Sequence, residues 1–413
     1  QKAMEVFVRN LNGTEYDISV CGYKRGGARG ESLETDGFPV YELSSRTAFA
    51  DILRERDVDI VHLHGMHDTA VEAVKIAKDV GVEAIVKTTP FGRVAEGTRD
   101  DIDLHLFPSK MALLRRIKLD QYSVDDWRKS FRVQYNPLSV SDVSDRIEGD
   151  YRDKLGIDPD TPVIGKIGRA TAEKWSESSI DIFEEVCDKH RETCILLVNP
   201  PNKIRTKISQ QGLDQNVKSI KSIPLYEVGK FYNTIDVLAH ASAIGESFGY
   251  VIAEAMAYET PVVVDSNPMR DNAQVELVNN GETGYVVGSS EAYADAILDL
   301  LRSEDLRETF GTTAHERATN LFDPSRIVGE LETVYRVLYE SNGDTAVLEG
   351  AAEPQREMMS EFEEEYQDRL HNLYGSVSMR HQLERSTWRL CSEFLPVGRS
   401  KVYYGLQGAF KDI

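Results

Sequence analysis

The chain has 413 residues, enough for two or three domains that each bury a core. Hydrophobic residues make up 41% of it, which is typical of a globular protein and excludes a largely disordered chain. The formal net charge of −21 would repel nucleic-acid phosphates, so it argues against general nucleic-acid binding, and it fits either a salt-loving source or an ordinary acidic protein.

The four cysteines form no metal-binding or redox pattern. Cys21, Cys187, Cys194 and Cys391 include no Cys-x-x-Cys pair and no metal-ligand spacing with histidine. No apolar run approaches the roughly 18 residues that span a bilayer, and the first residues do not resemble a signal peptide. We therefore expect reduced thiols and a cytoplasmic protein, with peripheral contact at the inner membrane face left open.

Short β-branched runs alternate with helical stretches in the first part of the chain. A helix is predicted at Lys2–Leu11. Strands are then predicted at Asp17–Cys21, Asp59–His64, Val82–Lys87, Leu104–Phe107 and Arg132–Tyr135. Helices are predicted between them at Thr47–Arg56, Asp68–Asp79 and Ser109–Leu119. The alternation predicts a doubly wound domain in residues 1–140, and because such a domain normally opens on a strand, we expect its first strand to be missing here.

A second alternating unit is predicted in residues 141–322. The stretch Asn136–Thr161 before it is polar and carries several glycines and prolines, which is typical of a link between domains. Strands are predicted at Val163–Ile167, Cys194–Val198, Asp236–Ala239 and Pro261–Val264. Doubly wound sheets bind ligands at the carboxyl ends of their strands. The sequence therefore predicts an α/β protein with two such domains and a ligand cleft between them.

The remaining residues are predicted to be helical. Residues 323–342 contain a terminal helix, predicted at Asp323–Leu338, which we expect to cross back to the first domain. Residues 343–413 form a helical extension, acidic at Glu353–Leu370 and then basic at Tyr374–Ile413, with six Arg or Lys against three acidic residues. The basic part suits a coiled coil or a helix that lies on a surface, and packing on its own body is favoured over membrane contact, with self-association left open.

Two cations follow the first strand of the second unit. The strand ends at Gly168, and Arg169 and Lys174 lie in the loop beyond it. At the carboxyl end of a strand, two cations can hold a diphosphate and stabilise it as a leaving group. Ordinary surface charge is the alternative, and the pairing of the two cations favours a ligand.

A later loop leads into a helix between residues 245 and 257. Ser247 is predicted to cap the helix, and Gly249 lets a ligand approach the backbone closely. The free N–H groups of residues 248–251 suit a diphosphate. Glu246 precedes the helix and Glu254 lies about two turns along it, so one ligand could meet both carboxylates through sugar and ribose hydroxyls. The alternative is a solvated helix with incidental acidic residues.

These segments resemble the retaining glycosyltransferases of family 4, which belong to the glycosyl transferases group 1. The resemblance covers about Lys2–Tyr339 and extends to the segments Asp59–Gly65, Tyr135–Pro137 and Asn280–Val287. It implies a GT-B fold, in which two Rossmann-like domains face a cleft and the second domain holds most of the donor. It also implies that no metal is needed, because the cations and the helix dipole supply the positive charge.

The resemblance also implies roles for individual residues. Arg169 and Lys174 would bind the donor diphosphate, Glu246 the transferred sugar and Glu254 the ribose, which makes the first three the candidate catalytic residues. The rest of the donor site would be formed largely by backbone, at Gly168, Ser247, Phe248, Gly249, Tyr250 and Val251.

Two features differ from the family. Its opening strand and glycine-rich turn would precede Gln1. Many members carry a histidine where this chain has Thr88–Gly92. Phe91 and Gly92 in that loop are candidate acceptor-side residues. His64 is a third, although a histidine at a strand end is more often structural.

The predicted function is transfer of a sugar from a UDP- or GDP-linked donor to a glycan or lipid-linked acceptor, with retention and without a cofactor. Ser386–Leu390 resembles a short element at the ends of some surface-polysaccharide glycosyltransferases, which favours surface glycan or glycolipid assembly. Another GT-B chemistry, by a nucleotide-sugar epimerase or a sugar phosphorylase, is the first alternative. A non-catalytic subunit of glycan assembly is the second.

Overall fold

The computed structural model describes most of the chain in two α/β units and a helical extension. The described residues are 2–23, 27–43, 45–64, 67–90, 98–120, 130–138, 148–266, 271–341, 343 and 352–374. Within them, no helix combines the length and the apolar character that crossing a membrane requires.

The first unit contains five helices and six strands among its described residues. The helices are α1 Lys2–Asn10, α2 Gly27–Thr35, α3 Arg46–Glu55, α4 His67–Val80 and α5 Lys110–Asp120. The strands are β1 Val20–Tyr23, β2 Val40–Leu43, β3 Ile60–Leu63, β4 Ala84–Thr88, β5 Leu104–Phe107 and β6 Phe131–Val133. All pairs are parallel, in a two-stranded sheet β1-β2 and a four-stranded sheet β3-β4-β5-β6.

A cavity of about 940 Å³ is lined by residues of both β1 and β3. Among the described strands, β1 pairs only with β2, and β3 only with β4. The lining includes buried apolar side chains such as Val8, Phe49 and Leu53. The opening strand that the sequence predicts for this unit stays a prediction.

The second unit is one six-stranded parallel sheet covered by helices. Its strands are β7 Val163–Ile167, β8 Cys194–Val198, β9 Val217–Ile220, β10 Val237–His240, β12 Val262–Asp265 and β14 Gly284–Val287. A small separate sheet pairs β11 Gly245–Glu246 with β13 Asp271–Asn272. The helices are α6 Arg152–Leu155, α7 Ser178–Lys189, α8 Asn202–Gln210, α9 Val228–Thr234, α10 Tyr250–Ala257, α11 Gln274–Leu277, α12 Ser290–Arg302 and α13 Glu304–Phe322.

The strand order of the large sheet sets the position of the site. The order is β9-β8-β7-β10-β12-β14, so the chain winds outward from β7 and then outward again from β10. Every pair is parallel and the strands carry mostly buried apolar residues, as a sheet covered on both faces requires. The change of direction between β7 and β10 leaves a crevice at their carboxyl ends.

Two further helices join the units. α14 Pro324–Glu340 is capped by Asp323, whose side chain accepts a hydrogen bond from Arg326 N at 2.8 Å. This helix packs against α1 of the first unit. α15 Ala352–Tyr374 contacts both units: Gln355 donates to the carbonyl of Phe131 in β6 at 2.8 Å, and Tyr374 donates to Ser266 O at 2.6 Å.

The central strands agree closely with the predictions. Leu104–Phe107, Val163–Ile167 and Cys194–Val198 are confirmed at the predicted residues. The other predicted strands are present with ends shifted by one to three residues. β2, β9 and β14 were not predicted as strands, and each lies at the edge of its sheet.

Candidate functional site

The site residues converge where β7 and β10 end. These strands are neighbours in the sheet, and the loops that leave them open onto the crevice between the two winding directions. The loop after β7 carries Gly168, Arg169 and Lys174, and the loop after β10 carries Glu246. Ile244 N donates to Glu173 O at 3.2 Å and ties the two loops together.

Glu246 is a buried carboxylate with two donors on one oxygen. Lys174 Nζ lies 2.8 Å from Oε1, and His240 Nε2 lies 3.0 Å from the same atom. Burial disfavours the charged form, but the hydrogen bond and charge of His240, followed by those of Lys174, outweigh it and lower the pKa of Glu246 to about 2. At neutral pH the site therefore holds a fixed anion next to a cation that a ligand can reach.

The backbone of Glu246 is held as firmly as its side chain. Gly245 has φ +70°, and a Cβ there would lie 1.6 Å from the carbonyl oxygen of Asp271, so glycine alone fits. The close approach lets Gly245 and Glu246 pair with Asp271 and Asn272 as β11 and β13. Ala273 N donates to Glu246 O at 2.8 Å. Glu246 therefore projects from a short pair of hydrogen-bonded strands, which fixes its backbone.

The two predicted cations differ in their surroundings. Lys174 is largely buried against Glu246, whereas the side chain of Arg169 is exposed. The loop is held through Trp175, whose Nε1 donates to Arg169 O at 3.0 Å, and Gly168 packs beside that ring. In the described part of the chain no ion pair involves Arg169, so only Lys174 is brought directly to Glu246.

The helix start differs from the prediction in one respect. Gly249, with φ +94°, precedes α10, and the predicted capping bond from Ser247 is wrong. The hydroxyl of Ser247 instead donates to Pro90 O of the first unit, because Gly249 turns the chain into the helix and Ser247 points across the cleft. No described residue accepts a hydrogen bond from the N–H groups of residues 248–251, so these donors suit an anion.

The donor-binding candidates that follow Ser247 contribute differently. The ring of Phe248 is buried 5.2 Å from that of Phe322, so Phe248 can meet a ligand only through its backbone. Tyr250 packs edge-on to Phe248, and Val251 accepts a hydrogen bond at its carbonyl from the Tyr232 hydroxyl at 3.2 Å.

Glu254 is engaged on both oxygens. Tyr232 donates to Oε2 at 2.8 Å, and Lys2 of α1 forms an ion pair with Oε1. The Tyr232 ring is buried and stacks on Tyr258 at 5.2 Å between centroids, so it fixes the carboxylate from inside the second unit. Lys2 approaches from the first unit, which makes Oε1 the oxygen that a ligand would take over.

Of the acceptor-side candidates, only His64 lies within the described residues, and it is not brought to this cluster. Phe91 and Gly92 lie outside the described residues. His64 is half-buried just beyond β3, with its ring 4.1 Å from that of His62, and desolvation lowers its pKa well below the usual value. His62 is held by the hydroxyls of Thr88, at 2.8 Å, and Tyr335. His64 lines the cavity between β1 and β3, and its acceptor-side role stays a prediction.

Three residues of the site were not predicted. His240 holds Glu246, and Tyr232 holds Glu254. Lys166, fully buried within β7, donates to Ala241 O at 2.6 Å, and burial lowers its pKa to about 8. The signal for Lys166 and His240 was a polar residue within or ending an apolar strand, but their partners lie on other elements and depend on the sheet order.

The two units also meet beside the site. Ser109 Oγ donates to Ser247 O at 2.7 Å. The buried carboxylate of Glu276 in α11 accepts from Lys110 N at 3.1 Å and Met111 N at 2.9 Å, at the start of α5. Tyr135 donates to the same carboxylate. These contacts fix one wall of the cleft relative to the other.

Comparisons with known proteins identify similar sequences and folds. Residues 148–317 match the family described as Glycosyl transferases group 1. The capsular polysaccharide biosynthesis glycosyltransferase CapM of Staphylococcus aureus is 31% identical over 236 residues, which are 55% of this chain and 58% of CapM. The phosphatidyl-myo-inositol mannosyltransferase of Mycobacterium leprae is 26% identical over 356 residues, covering 82% of this chain and 90% of that protein.

Solved structures show the same fold. The structure of Anabaena Alr3699/HepE, in complex with UDP and glucose, has a TM-score of 0.66 to this chain at 18% identity, covering 82% of this chain and 96% of that one. With the parallel sheets of the two units, this likeness confirms the predicted GT-B fold, in which two Rossmann-like domains face a cleft.

Proposed function

We propose that this chain is a retaining glycosyltransferase of family 4, a part of the glycosyl transferases group 1 whose family model residues 148–317 match. It moves a sugar from a nucleotide diphosphate sugar to a glycan or lipid-linked acceptor. The observation that supports the proposal most is the pairing of Lys174 with the fixed anion Glu246 at the switch point between β7 and β10. A phosphate-binding cation and a hydroxyl-binding carboxylate lie side by side, as a sugar diphosphate requires.

In this proposal the donor lies along the start of α10. Its diphosphate contacts Lys174, the guanidinium of Arg169 and the free N–H groups of residues 248–251. The transferred sugar contacts Glu246. The ribose hydroxyls reach Glu254, where they replace Lys2 on Oε1 while Tyr232 keeps Oε2.

The reaction breaks the bond between the sugar C1 and the diphosphate oxygen. Charge builds on the leaving diphosphate, and Lys174, Arg169 and the helix N–H groups stabilise it. The acceptor oxygen bonds to C1 on the face that the diphosphate leaves, and its proton passes to a diphosphate oxygen. The products are the glycosylated acceptor and a nucleoside diphosphate. The sugar has oxocarbenium character between the two bonds, and the Glu246 anion lies where it can stabilise that charge.

The relatives suggest the class of acceptor. By their names, CapM acts in capsular polysaccharide biosynthesis and the Mycobacterium leprae protein is a phosphatidyl-myo-inositol mannosyltransferase. We extend this to the present chain as a role in surface glycan or glycolipid assembly, in the cytoplasm or at the inner membrane face. The basic residues of 375–413, which lie outside the described part of the chain, would pack on the chain's own body, and contact with the membrane or a second copy is the alternative.

A thermal-shift screen tests the donor site. UDP, GDP and their common sugars are added to the whole protein, and we expect one nucleotide and its sugars to raise the melting temperature, because a ligand that binds only the folded chain stabilises it. Chromatography and NMR of the incubated sugars then separate the alternatives, since an epimerase would invert one carbon of the sugar without releasing the nucleoside diphosphate. Repeating the assay with a chelator tests the expected independence of metal. If no nucleotide shifts the melting temperature, the proposal is wrong.

A further inference from the structure

His240 closes β10 at the floor of the site. Its side chain is only 5% exposed. Nε2 lies 3.0 Å from Glu246 Oε1, and Nδ1 is buried with no hydrogen-bond partner among the described residues. A carboxylate can only accept, so Nε2 carries the proton and donates it. His240 therefore makes a single directed polar contact, and that contact is to Glu246.

The two oxygens of Glu246 have different surroundings. Lys174 and His240 both reach Oε1. Oε2 has no hydrogen bond to any residue that the structure describes. With the backbone held by β13, the side chain has little freedom left. Oε2 is thus the oxygen that can accept a hydrogen bond from a hydroxyl of a bound sugar.

The two donors on Oε1 respond differently to a donor substrate. A diphosphate carries more charge than a carboxylate and competes for the ammonium of Lys174. His240 has no such competitor, because it is buried at the end of a central strand between β7 and β12. When Lys174 turns to the diphosphate, the imidazole is the remaining donor that holds Oε1.

We propose that His240 is a positioning residue that holds Glu246 by Oε1, so that Oε2 meets a hydroxyl of the transferred sugar. The inference rests on the proposed function. In the free enzyme, Lys174 and His240 both contact Oε1. When the donor binds, Lys174 contacts the diphosphate and His240 alone orients the carboxylate toward the sugar.

Three substitutions test this role. Gln places its amide near the position of Nε2, whereas Asn ends near the position of Nδ1 and Leu has no donor. We expect His240→Leu and His240→Asn to lower kcat for sugar transfer or donor hydrolysis roughly 10- to 100-fold, the usual effect of losing a hydrogen bond to a charged group. The affinity for the free nucleoside diphosphate should change less than about threefold, because that ligand has no sugar. His240→Gln should recover most of the rate.

The result can overturn the inference in several ways. It is wrong if His240→Asn keeps kcat within about twofold of the wild type, if nucleoside diphosphate affinity falls in step with kcat, or if His240→Gln is as slow as His240→Asn. Should His240→Leu fail to fold, the comparison of Gln with Asn decides. Failure of the proposed function is distinguishable, because then the wild type itself would neither bind a nucleotide nor consume a nucleotide sugar.

Discussion

The groups that lower the pKa of Glu246 are His240 and Lys174, and a ligand site at this place would need the same two groups. Its carboxyl has a pKa of about 2 in the folded chain, against 4.5 ordinarily. Between these values the unfolded chain binds a proton that the folded chain does not. The stabilisation is therefore present above pH 4.5 and is lost as the pH falls through 4.5 toward 2.

An acid titration checks this contribution. We expect wild type and Glu246→Gln to differ in free energy of unfolding by an acid-sensitive amount of up to about 3 kcal/mol above pH 5, because Gln has no charge to lose. The difference should narrow between pH 5 and pH 3 in urea unfolding. Glu316→Gln, on the exposed side of α13, is the matched control and should show no such change. A difference for Glu246→Gln that is constant with pH would contradict the cause given for the pKa.

Gly245 can be tested against a glycine of the same backbone conformation. Gly245 has φ +70° and Gly212 has φ +69°, but a Cβ at Gly212 meets nothing within 4 Å. Ala at Gly212 should cost about 1 kcal/mol for the left-handed conformation alone. Ala at Gly245 should cost roughly 1 to 3 kcal/mol more and abolish turnover, because it pushes β11 away from Asp271. Equal losses in thermal unfolding would show that the contact with β13 is unimportant.

Among single residues, the sequence predicted those that belong to a recognisable local motif. Glu246, Lys174 and Gly249 were recognised because a loop and the start of a helix have local signatures. His240 and Tyr232 were missed because a histidine or tyrosine ending or following an apolar run is usually structural. The contact of His240 with Glu246 depends on how the chain turns back after β10, and that of Tyr232 with Glu254 depends on how α9 lies beside α10. Short-range patterns do not encode either arrangement.

Among the elements, α5 and α11 carry the most specific contact between the units. Glu276 of α11 lies at the positive end of α5 and accepts two backbone N–H groups and the hydroxyl of Tyr135. Burial raises the pKa of Glu276, because it destabilises the charged carboxylate. The carboxylate therefore needs the hydrogen bonds of its three donors. It fixes the first unit beside the loop that carries Glu246.

Glu276→Ala should destabilise the protein on the order of 3 kcal/mol, because it leaves buried donors without an acceptor. Urea unfolding measures this loss. Glu316→Ala, at an exposed position of similar helical character, should stay within about 0.5 kcal/mol of the wild type. A Glu276→Ala protein as stable as that control would mean that the contact adds nothing to the joining of the units.

The predicted elements were most accurate in the middle of the sheets. β5, β7 and β8 are mainly apolar and buried along nearly their whole length, so their patterns are strong. β2 and β9 lie at sheet edges and mix apolar with polar residues, as in Val217–Ile220. An edge strand is only partly buried, so its sequence resembles a loop and its pairing is decided by the neighbouring strand.

For the whole molecule, the sequence predicted two α/β domains and the cleft, and the GT-B fold confirms them. It did not predict how α15 lies. The apolar face of α15, with Met359, Phe362 and Tyr366, is buried against the body of the protein. The sequence predicted only an acidic helix there, because a helix that packs by one apolar stripe can still carry charge at about four of every seven positions.

The measurement that tests the proposed function most directly is nucleoside diphosphate release from the donor sugar found in the thermal-shift screen. The wild type should release it, and more of it with an acceptor. Lys174→Met and Glu246→Gln should each slow release by at least about 100-fold, as expected when charge on a leaving group or the reacting sugar loses its partner. Lys75→Met, at an exposed position on α4, should match the wild type. Release by either site variant at the wild-type rate would contradict the assignment of the active site to the ends of β7 and β10.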